Sequence, residues 1–325
     1  MKKKLVGFPK TISDFRKQFS TEEACRDYLV KCRWPEGFVC ICGSKKYWPK
    51  RNGKLFECSS CHKNHSPMSG TVMHGSHISL QNWFQAAYFI STFTPGISAL
   101  QLKRQLGLGS YRSSWFMLGR LRKAMVNENR QKLSGLIEVD EAHIGGRGRA
   151  RPGRSSGFSR SQPHNKKMVA GAIEVRRVKL RSGKMKEIAG RIRLQIIETN
   201  NTESLQTFIA GNVAAPSRIR TDGWKAYKNK EVLGNNTHLR KINNKGKRFN
   251  SQLPHVHRAF SNLKTWIRGT HHGVDAKYLQ PYLDEFVFRF NRRHYPMVAF
   301  RTLLGISTRK PQTSLKKIQS RDASA

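Results

Sequence analysis

Acidic residues are scarce in this sequence. Its 325 residues include 20 Asp and Glu against 61 Lys and Arg, which gives a formal net charge of +41 at pH 7. A charge of this size opposes compaction through self-repulsion, so the composition predicts a polyanionic partner, and nucleic acid is the leading class. A basic surface that serves solubility alone is the alternative, but solubility needs far less charge.

Long apolar runs are also missing. No segment reaches the ~18 or more uninterrupted apolar residues that a membrane-spanning helix needs. The opening, MKKKLVGFPK, begins with basic residues, but its apolar stretch before Pro9 is too short for a signal peptide. We therefore expect an intracellular protein without a membrane partner, located in the cytoplasm and associated with the nucleoid.

Cysteine is sparse as well, and four of the six cysteines form two pairs in one short stretch: Cys40 and Cys42, then Cys58 and Cys61. Two thiolate pairs across a short loop are a usual source of four tetrahedral sulfur ligands for zinc. The second pair has the favourable two-residue gap, whereas the first has one intervening residue. We predict a structural Zn²⁺ site, with Cys32, His62 and His65 as substitute ligands and a metal-free group of thiols as the alternative.

The first third of the chain is mostly helical in pattern. Residues 1–33 predict an amphipathic helical segment with apolar positions at Phe15, Phe19, Tyr28 and Leu29. Residues 34–70 hold the paired cysteines and short strand-like pieces, which predicts a small module stabilised by zinc. Residues 71–133 predict helices again, so three separate modules precede residue 134.

Two of these helices have the pattern of a helix-turn-helix. The stretch 96–125 divides at Gly107 and Gly109 into two short helices, as in that motif. The second helix carries four basic residues, Arg112, Arg120, Arg122 and Lys123. Such a helix is able to enter the major groove of DNA, and a plain helical hairpin is an equal alternative.

From residue 134 onwards the pattern changes to short β-branched strands. Strands, then a strand–helix–strand unit, then helices predict one mixed α/β domain over residues 134–306. Two segments have compositions that resist packing, residues 145–167 and residues 307–325. The first holds seven Lys and Arg and no acid, so we predict a basic loop there and a disordered basic tail at the end.

Two aspartates each end a predicted strand. Asp140 ends the apolar strand of GLIEVDEAHIGG, and Asp222 ends the strand of RTDGWKAY. Carboxylates at neighbouring strand ends are able to bridge divalent ions that position a phosphodiester for in-line attack. Cancelling nearby Lys and Arg is the alternative role. Strand alternation turns Glu141 to the opposite side from Asp140, so we place it and His143 outside the ligand set.

A third ligand is expected from the helical segment HVHRAFSNLKTWIRG. His257 and Lys264 are seven residues apart, which is within ~20° of two full helical turns, so both lie on one face. Asn262 is the competing ligand, but it projects about 140° away from His257. A DNA-contacting or surface histidine is the alternative role. Trp224, beside Asp222, either stacks on a splayed base or packs under its strand.

Together these segments resemble one known family. WPEGFVCICGS, FECSSC, SGTVMHGSHISLQNWF, IEVDEAHIGG, RTDGWKAY, HVHRAFSNLKTWIRGTHHGV and YLQPYLDEFVFRFNRR are similar to the ISXO-type insertion-sequence transposases. The likeness extends from about Trp34 to Ile306. It implies an α/β fold whose ribonuclease-H-like core, a mixed sheet flanked by helices, follows a zinc ribbon and a helix-turn-helix-like region.

The resemblance also implies an activity and a site. Asp140 and Asp222 take the two aspartate positions of a D-D-E-type enzyme, His257 takes the usual glutamate position, and Lys264 the basic position one heptad later. Catalytic Mg²⁺ or Mn²⁺, structural Zn²⁺, double-stranded DNA (element ends and target) and a homo-oligomer on DNA are the implied cofactors and partners. The expected reaction is cleavage of element ends and joining of 3′-hydroxyls to target DNA.

Three alternatives remain open from the sequence. A ribonuclease-H-like nuclease would cleave without strand transfer, and a transposase-derived DNA-binding protein would have lost chemistry, which the histidine in place of glutamate favours. A zinc-dependent catalytic enzyme is the third alternative, but a set of four cysteines leaves no open position on the metal.

Overall fold

The computed structural model describes residues 9–127, 130–145, 166–222, 224–240, 253–307 and 318. These residues belong to two compact units, one of Met1–Asn127 with Arg292–Arg321, and one of Glu128–Asn291 with residues 322–325. Nearly all of the predicted basic loop (145–167) and of the predicted tail (307–325) lies outside the described residues. No helix in the described part of the chain is long and apolar enough to cross a membrane.

The first unit opens with two helices that threonines cap. Helix α1 (Ile12–Gln18) follows Thr11, and helix α2 (Glu22–Arg33) follows Thr21; each hydroxyl accepts a hydrogen bond from a backbone N–H of the first turn. The apolar positions expected from the sequence, Phe15, Phe19, Tyr28 and Leu29, are all buried. Amphipathic spacing therefore predicted the buried positions of the described part of this segment, residues 9–33.

A small antiparallel sheet follows, with strands β1 (Tyr47–Lys50), β2 (Leu55–Cys58) and β3 (Asn64–His65). Its core is a small cluster of Phe38, Phe56, Cys40 and Cys58. A cluster of this size is too small to hold a fold by apolar burial alone, so the sheet depends on another stabilising element.

Three further helices complete this part of the chain: α3 (Leu80–Thr92), α4 (Ala99–Gln105) and α5 (Tyr111–Ala124). The predicted glycine turn joins α4 to α5, and Gly107 has a φ of +61°. Arg120 and Arg122 are buried, and the Arg120 guanidinium donates to the carbonyls of Val72 and His74. Arg120 therefore stabilises the fold, and neither of the two buried arginines faces solvent, whereas Arg112 is exposed.

The second unit is built on a five-stranded sheet. Its strands are β4 (Leu136–Ile144), β5 (Lys167–Lys179), β6 (Met185–Ile197), β7 (Arg218–Thr221) and β8 (Thr237–Arg240). The order across the sheet is β6-β5-β4-β7-β8; β4, β5 and β6 pair antiparallel, whereas β7 and β8 run parallel to β4. The mixed α/β class predicted from the sequence is confirmed.

Helices cover both faces of this sheet: α6 (Thr202–Asn212), α7 (Lys230–Leu233), α8 (Pro254–His271) and α9 (Leu279–Phe290). Ile137 and Val139 of β4 belong to the core with Phe208 of α6. Ile173 of β5 belongs to the core with Phe260 of α8. The face that carries the even-numbered β4 residues Glu138 and Asp140 is therefore the one that α8 covers.

One helix departs from the sequence expectation. Helix α10 (Pro296–Ser307) belongs to the first unit, although the predicted catalytic domain extended to residue 306. Its apolar face explains the difference, because the buried Phe300 ring contacts the rings of Phe15, Phe19 and Tyr88.

Gly171 sets the approach of α8 to the sheet. It pairs directly with Asp140 across β4 and β5. A Cβ at this position would lie 2.7 Å from Phe260 Cζ and 3.1 Å from Leu194 Cδ2, and both side chains are buried. The absence of a side chain therefore lets α8 lie close to the sheet at the level of Asp140.

We expect Gly171→Ala to lower the free energy of unfolding by about 1–3 kcal/mol, because the added methyl group overpacks this contact. Gly211→Ala in α6 is the control, since a Cβ there meets nothing within 4 Å, and alanine should be neutral or stabilising by up to about 1 kcal/mol. Urea denaturation followed by circular dichroism measures both. Equal stability of the two variants would contradict this packing.

Candidate active site and metal centre

The two predicted aspartates lie on neighbouring parallel strands, but the expectation that Asp140 ends its strand is wrong, because β4 continues through Asp140 to Ile144. Asp140 is in β4, and Asp222 directly follows the last residue of β7. The β4–β7 register pairs Glu138 with Arg220, so its continuation by two residues places Asp222 opposite Asp140. Both residues therefore lie at the same level of the sheet, side by side on β4 and at the end of β7.

His257 reaches Asp140 from helix α8. Its Nε2 lies 3.2 Å from Asp140 Oδ2, and each side chain is 17% exposed. The hydrogen bond to Asp140 raises the pKa of His257; burial opposes the shift, and the charges of Asp140, Glu138 and Asp222 add to it. The structure thus brings two of the three expected ligands into direct contact and places His257 in the field of the third.

Glu138 fixes the start of α8 against the same strand. This side chain is fully buried, and its Oε2 accepts hydrogen bonds from the backbone N–H groups of His255 at 2.8 Å and Val256 at 3.0 Å. A carboxylate at a helix N-terminus satisfies orphan N–H donors and is stabilised by the helix dipole. Arg220 of β7 completes the ion pair at 3.3 Å. The helix start is therefore anchored two residues before His257.

Glu141 takes the opposite side of β4, as strand alternation predicted. It accepts a hydrogen bond from the hydroxyl of the buried Tyr227. Burial raises the pKa of Glu141 to about 7; the bond from Tyr227 lowers it, and the charges of Asp140 and Asp222 raise it further. Burial is the largest cause that raises the pKa of Tyr227 well above its usual value, and the charge of Glu141 is the next. Three carboxylates therefore share one electrostatic environment.

Asp222 is exposed and has a local partner. Its Oδ1 accepts a hydrogen bond from the backbone N–H of Trp224 at 2.9 Å. The Trp224 ring is 46% exposed, and its indole N–H donates to the carbonyl of Asn200 at 3.3 Å. Packing of this ring under the strand, one of the two expected roles, is therefore not what the structure shows.

Lys264, the expected basic residue of α8, is exposed, and so is Arg268. Lys264 and Arg268 follow His257 by whole helical turns on the solvent side of the helix, while Phe260, Leu263 and Ile267 are buried. These three apolar residues form the buried face of α8. The two cations remain accessible to an anion that approaches along α8.

The donor set of Asp140 and His257 fits a divalent cation. Adjacent ligands of an octahedral ion with bonds of ~2.1 Å lie about 3 Å apart, and the observed separation is 3.2 Å. Asp222 would have to turn towards this pair, because within the described ranges the cysteine cluster is the one group of three or more potential ligands that already converges. As an exposed side chain at a strand end, it is able to turn.

The four predicted cysteines do converge. The sulfur atoms of Cys40, Cys42, Cys58 and Cys61 all lie within 4.8 Å of one another. Sulfurs bound to one zinc ion at ~2.3 Å are about 3.8 Å apart, which fits the separations of 3.5 Å for Cys40–Cys61 and 3.6 Å for Cys42–Cys58. The single-residue gap of the first pair therefore permits a tetrahedral set.

Backbone hydrogen bonds also favour a thiolate in this cluster. Hydrogen bonds from the backbone N–H groups of Cys61 and Ser60, together with contacts from the side chains of Cys42 and Cys40, lower the pKa of Cys58 to about 6. Burial opposes this shift. His65 Nε2 lies 3.2 Å from Cys40 Sγ. Of the three substitute ligands considered, His65 is thus a neighbour of the sulfurs, whereas His62 pairs with Glu57.

Known proteins match both parts of this architecture. Residues 132–291 match the family model of the ISXO2-like transposase domain, and residues 20–64 match that of the transposase zinc-ribbon domain. An "Uncharacterized protein in transposable element ISH50" of Halobacterium salinarum is 25% identical over 287 residues, which are 84% of this chain and 92% of the relative. The chain therefore belongs to the ISXO2-like insertion-sequence transposases and carries their zinc ribbon.

We expect Cys61→Ser to reduce the bound zinc from about one ion per chain, because a closed structural site needs all four ligands. Cys32→Ser is the matched control, since Cys32 lies in α2 outside the cluster. Mass spectrometry of the metal content of the purified chain compares the two variants. Full zinc occupancy in Cys61→Ser would exclude this ligand set.

We expect Glu138→Ala to cost at least about 2 kcal/mol, because two buried N–H donors lose their acceptor at about 1–3 kcal/mol each. Glu138→Gln should cost less, since its amide oxygen still accepts from the helix. Glu203→Ala, an exposed position in the first turn of α6, should cost below about 1 kcal/mol. Chemical denaturation measures the change in the free energy of unfolding for each of the three variants. If Glu138→Ala unfolds with the wild-type free energy, Glu138 does not anchor the helix.

Proposed function

We propose that this chain is a DNA transposase that cleaves the ends of an insertion sequence and joins the freed 3′-hydroxyls to target DNA. The transposase domain over residues 132–291 supports this role. The finer proposal is a D-D-H site of Asp140, Asp222 and His257 in a ribonuclease-H-like core. The mixed sheet with two parallel strands beside β4, flanked by helices, supports that fold.

The contact between Asp140 and His257 carries the proposal. Buried acids elsewhere in this unit are neutralised by arginines: Glu138 by Arg220, Glu174 by Arg191 and Glu285 by Arg289. Within the described ranges, neither Asp140 nor Asp222 has a Lys or Arg partner, and Asp140 pairs with an imidazole instead. In a chain of net charge +41, acids that no Lys or Arg neutralises are suited to hold a cation.

Asp140, Asp222 and His257 would hold Mg²⁺ or Mn²⁺. Imidazole is a softer ligand than carboxylate, so the set favours Mn²⁺ more than a three-carboxylate site would. A divalent cation here supplies Lewis-acid activation of the phosphodiester and of the nucleophile. Asp140 lies within β4, Asp222 directly follows β7, and His257 lies on a helix whose start is anchored by Glu138, so these positions would hold the cation at a fixed place on the sheet.

Lys264 and Arg268 would hold the phosphates of the bound strand. Both are exposed on α8 beyond His257, and charge-assisted hydrogen bonds to phosphate are among the strong ones. Water is the nucleophile for cleavage and the freed 3′-hydroxyl for joining, so no protein side chain becomes covalently attached to DNA. Trp224, half exposed beside Asp222, is available to stack on a splayed base.

The first unit would recognise the element ends. The zinc ribbon and the α4–α5 pair supply two DNA-binding modules, with Tyr111 and Arg112 exposed at the start of α5, where a recognition helix contacts bases. The basic residues of 145–167 would add phosphate contacts without sequence preference. Two ends must be brought together, so the working form would be a homo-oligomer on DNA.

Asp222→Asn is expected to abolish cleavage of a labelled duplex carrying the element end, in both Mn²⁺ and Mg²⁺. Asparagine keeps the size of the side chain and removes the charge that a cation needs. Glu203→Gln makes the same chemical change at an exposed position of α6 and should leave cleavage at the wild-type rate. Gel analysis of the products measures both variants.

A second substrate tests the joining step. With a precleaved end that carries a free 3′-hydroxyl, the wild-type chain should form branched products with a target duplex. Cleavage without joining would assign the chain to nucleases that lack strand transfer. Binding of DNA without either reaction in the wild type would assign it to the inactive DNA-binding class, and cleavage by Asp222→Asn would refute the proposed site.

A further inference from the structure

A two-stranded arm projects from the sheet of the second unit. Strand β4 pairs with β5 only as far as Leu136 and Val175. Beyond Val175, residues 176–179 pair with 185–188 of β6 alone. Ten of the eleven residues from 176 to 186 are exposed. We call residues 176–188 the hairpin arm.

The turn at the tip of the hairpin arm is well defined. Gly183 N donates to Leu180 O at 2.9 Å, and Leu180 N donates to Lys184 O at 2.9 Å. The three residues enclosed end in Gly183, whose φ is +79°. This is the pattern of a three-residue hairpin loop with glycine at the left-handed position, so the arm keeps a fixed shape at its end.

Charged residues at the base of the hairpin arm form ion pairs, whereas the cations at its tip have none within the described residues. At the base, Arg177 pairs with Glu187, which also pairs with Arg220 of β7. These bonds tie the base of the arm to the sheet and lower the pKa of Glu187, the bond from Arg220 first. The tip carries four exposed cations with no ion pair in the described part of the chain: Lys179, Arg181, Lys184 and Lys186.

We propose that the hairpin arm binds the phosphates of duplex DNA that leaves the candidate active site. Four cations on a narrow ribbon match the regular negative charge of a duplex, and a two-stranded ribbon has the width that the major groove admits. The proposal rests on the proposed function for the path of the DNA. A docked protein is the other occupant to consider, because Leu180 and Met185 at the tip are 42% and 61% exposed.

The length of the arm fixes where this contact falls. Gly171 pairs with Asp140, and Lys179 is eight residues further along β5. At ~3.3 Å per residue this distance is at most about 26 Å, which corresponds to about eight base pairs at ~3.4 Å each. The arm therefore contacts DNA within one helical turn of the phosphodiester at the candidate site.

A salt titration of binding tests the contact. The full chain with Lys179→Ala, Arg181→Ala, Lys184→Ala and Lys186→Ala is compared with wild type on a 40-base-pair duplex of arbitrary sequence. Each phosphate contact contributes ~0.9 to the slope of log K against log salt. The variant should bind at least tenfold more weakly at low salt, with a slope smaller by about 2–4.

The matched control keeps the charge. Lys179→Arg, Lys184→Arg and Lys186→Arg should retain wild-type affinity and slope, and the thermal unfolding midpoints of all variants should agree. An unchanged slope in the alanine variant overturns the proposal. This readout involves no cleavage, so it fails or succeeds independently of the Asp222→Asn experiment.

A crosslinker at Leu180 locates the contact. With a photoreactive amino acid at this position, nine residues beyond Gly171, the full chain bound to element-end DNA should crosslink within about nine base pairs of the cleavage point, as the strand rise predicts. Crosslinks on DNA more than one helical turn away would overturn the position. A crosslink to a second copy of the chain, with none to DNA, would overturn the partner.

Discussion

A single buried carboxylate ties the strand that holds Asp140 to the helix that holds His257. Glu138 points to the same face of β4 as Asp140 and accepts the first free N–H groups of α8. Helix α8 therefore begins at a fixed height above the strand, and His257 follows two residues later. Without this bond, a segment distant in sequence would meet Asp140 only through apolar packing, which fixes position less sharply.

Burying a carboxylate is costly, and the surrounding structure compensates for it. Two backbone donors, the positive end of a helix and Arg220 all act on Glu138. Gly171 contributes in another way, because it removes the side chain that would hold Phe260 and α8 away from the sheet. The hydrogen bonds of Glu138 hold the start of α8, and the absence of a side chain at Gly171 lets the middle of the helix approach the sheet. Together they set the distance at which Asp140 and His257 meet.

Periodicity in the sequence predicted the elements on which this arrangement rests. The strands around Asp140 and Asp222, the helix of His257 and the paired cysteines all follow from alternation, helical spacing and short-range motifs. Strand β8 was not predicted, since its four residues, THLR, give too short a pattern. The burial of Arg120 and Arg122 was not predicted, because a helix of mixed character does not reveal which basic residues fold inwards.

Glu138 and Tyr227 were also missed, for a physical reason. Both act through partners far along the chain, and no local spacing links Glu138 to residues 255 and 256. One signal was present: an acid at a core-facing position of an apolar strand is rare unless it is paired. Such a residue predicts that a donor exists, although the sequence does not say which. The domain boundary near residue 291 was not predicted for the same reason. Phe300 belongs to the first unit because of the rings that it contacts, and these contacts leave no local pattern in the sequence.

Acidic residues are few in this chain, so the position and partner of each one are informative. Glu138, Glu174 and Glu285 each neutralise an arginine inside the second unit, so the excess of Lys and Arg is left mainly on the surface, as at the tip of the hairpin arm. Asp140 and Asp222 are used differently, since an imidazole and a backbone N–H contact them. A phosphodiester and these acids repel each other, and a cation between them removes that repulsion. In the proposed function, the charge pattern that draws DNA to the surface would therefore call for a cation where Asp140 and Asp222 meet the phosphodiester.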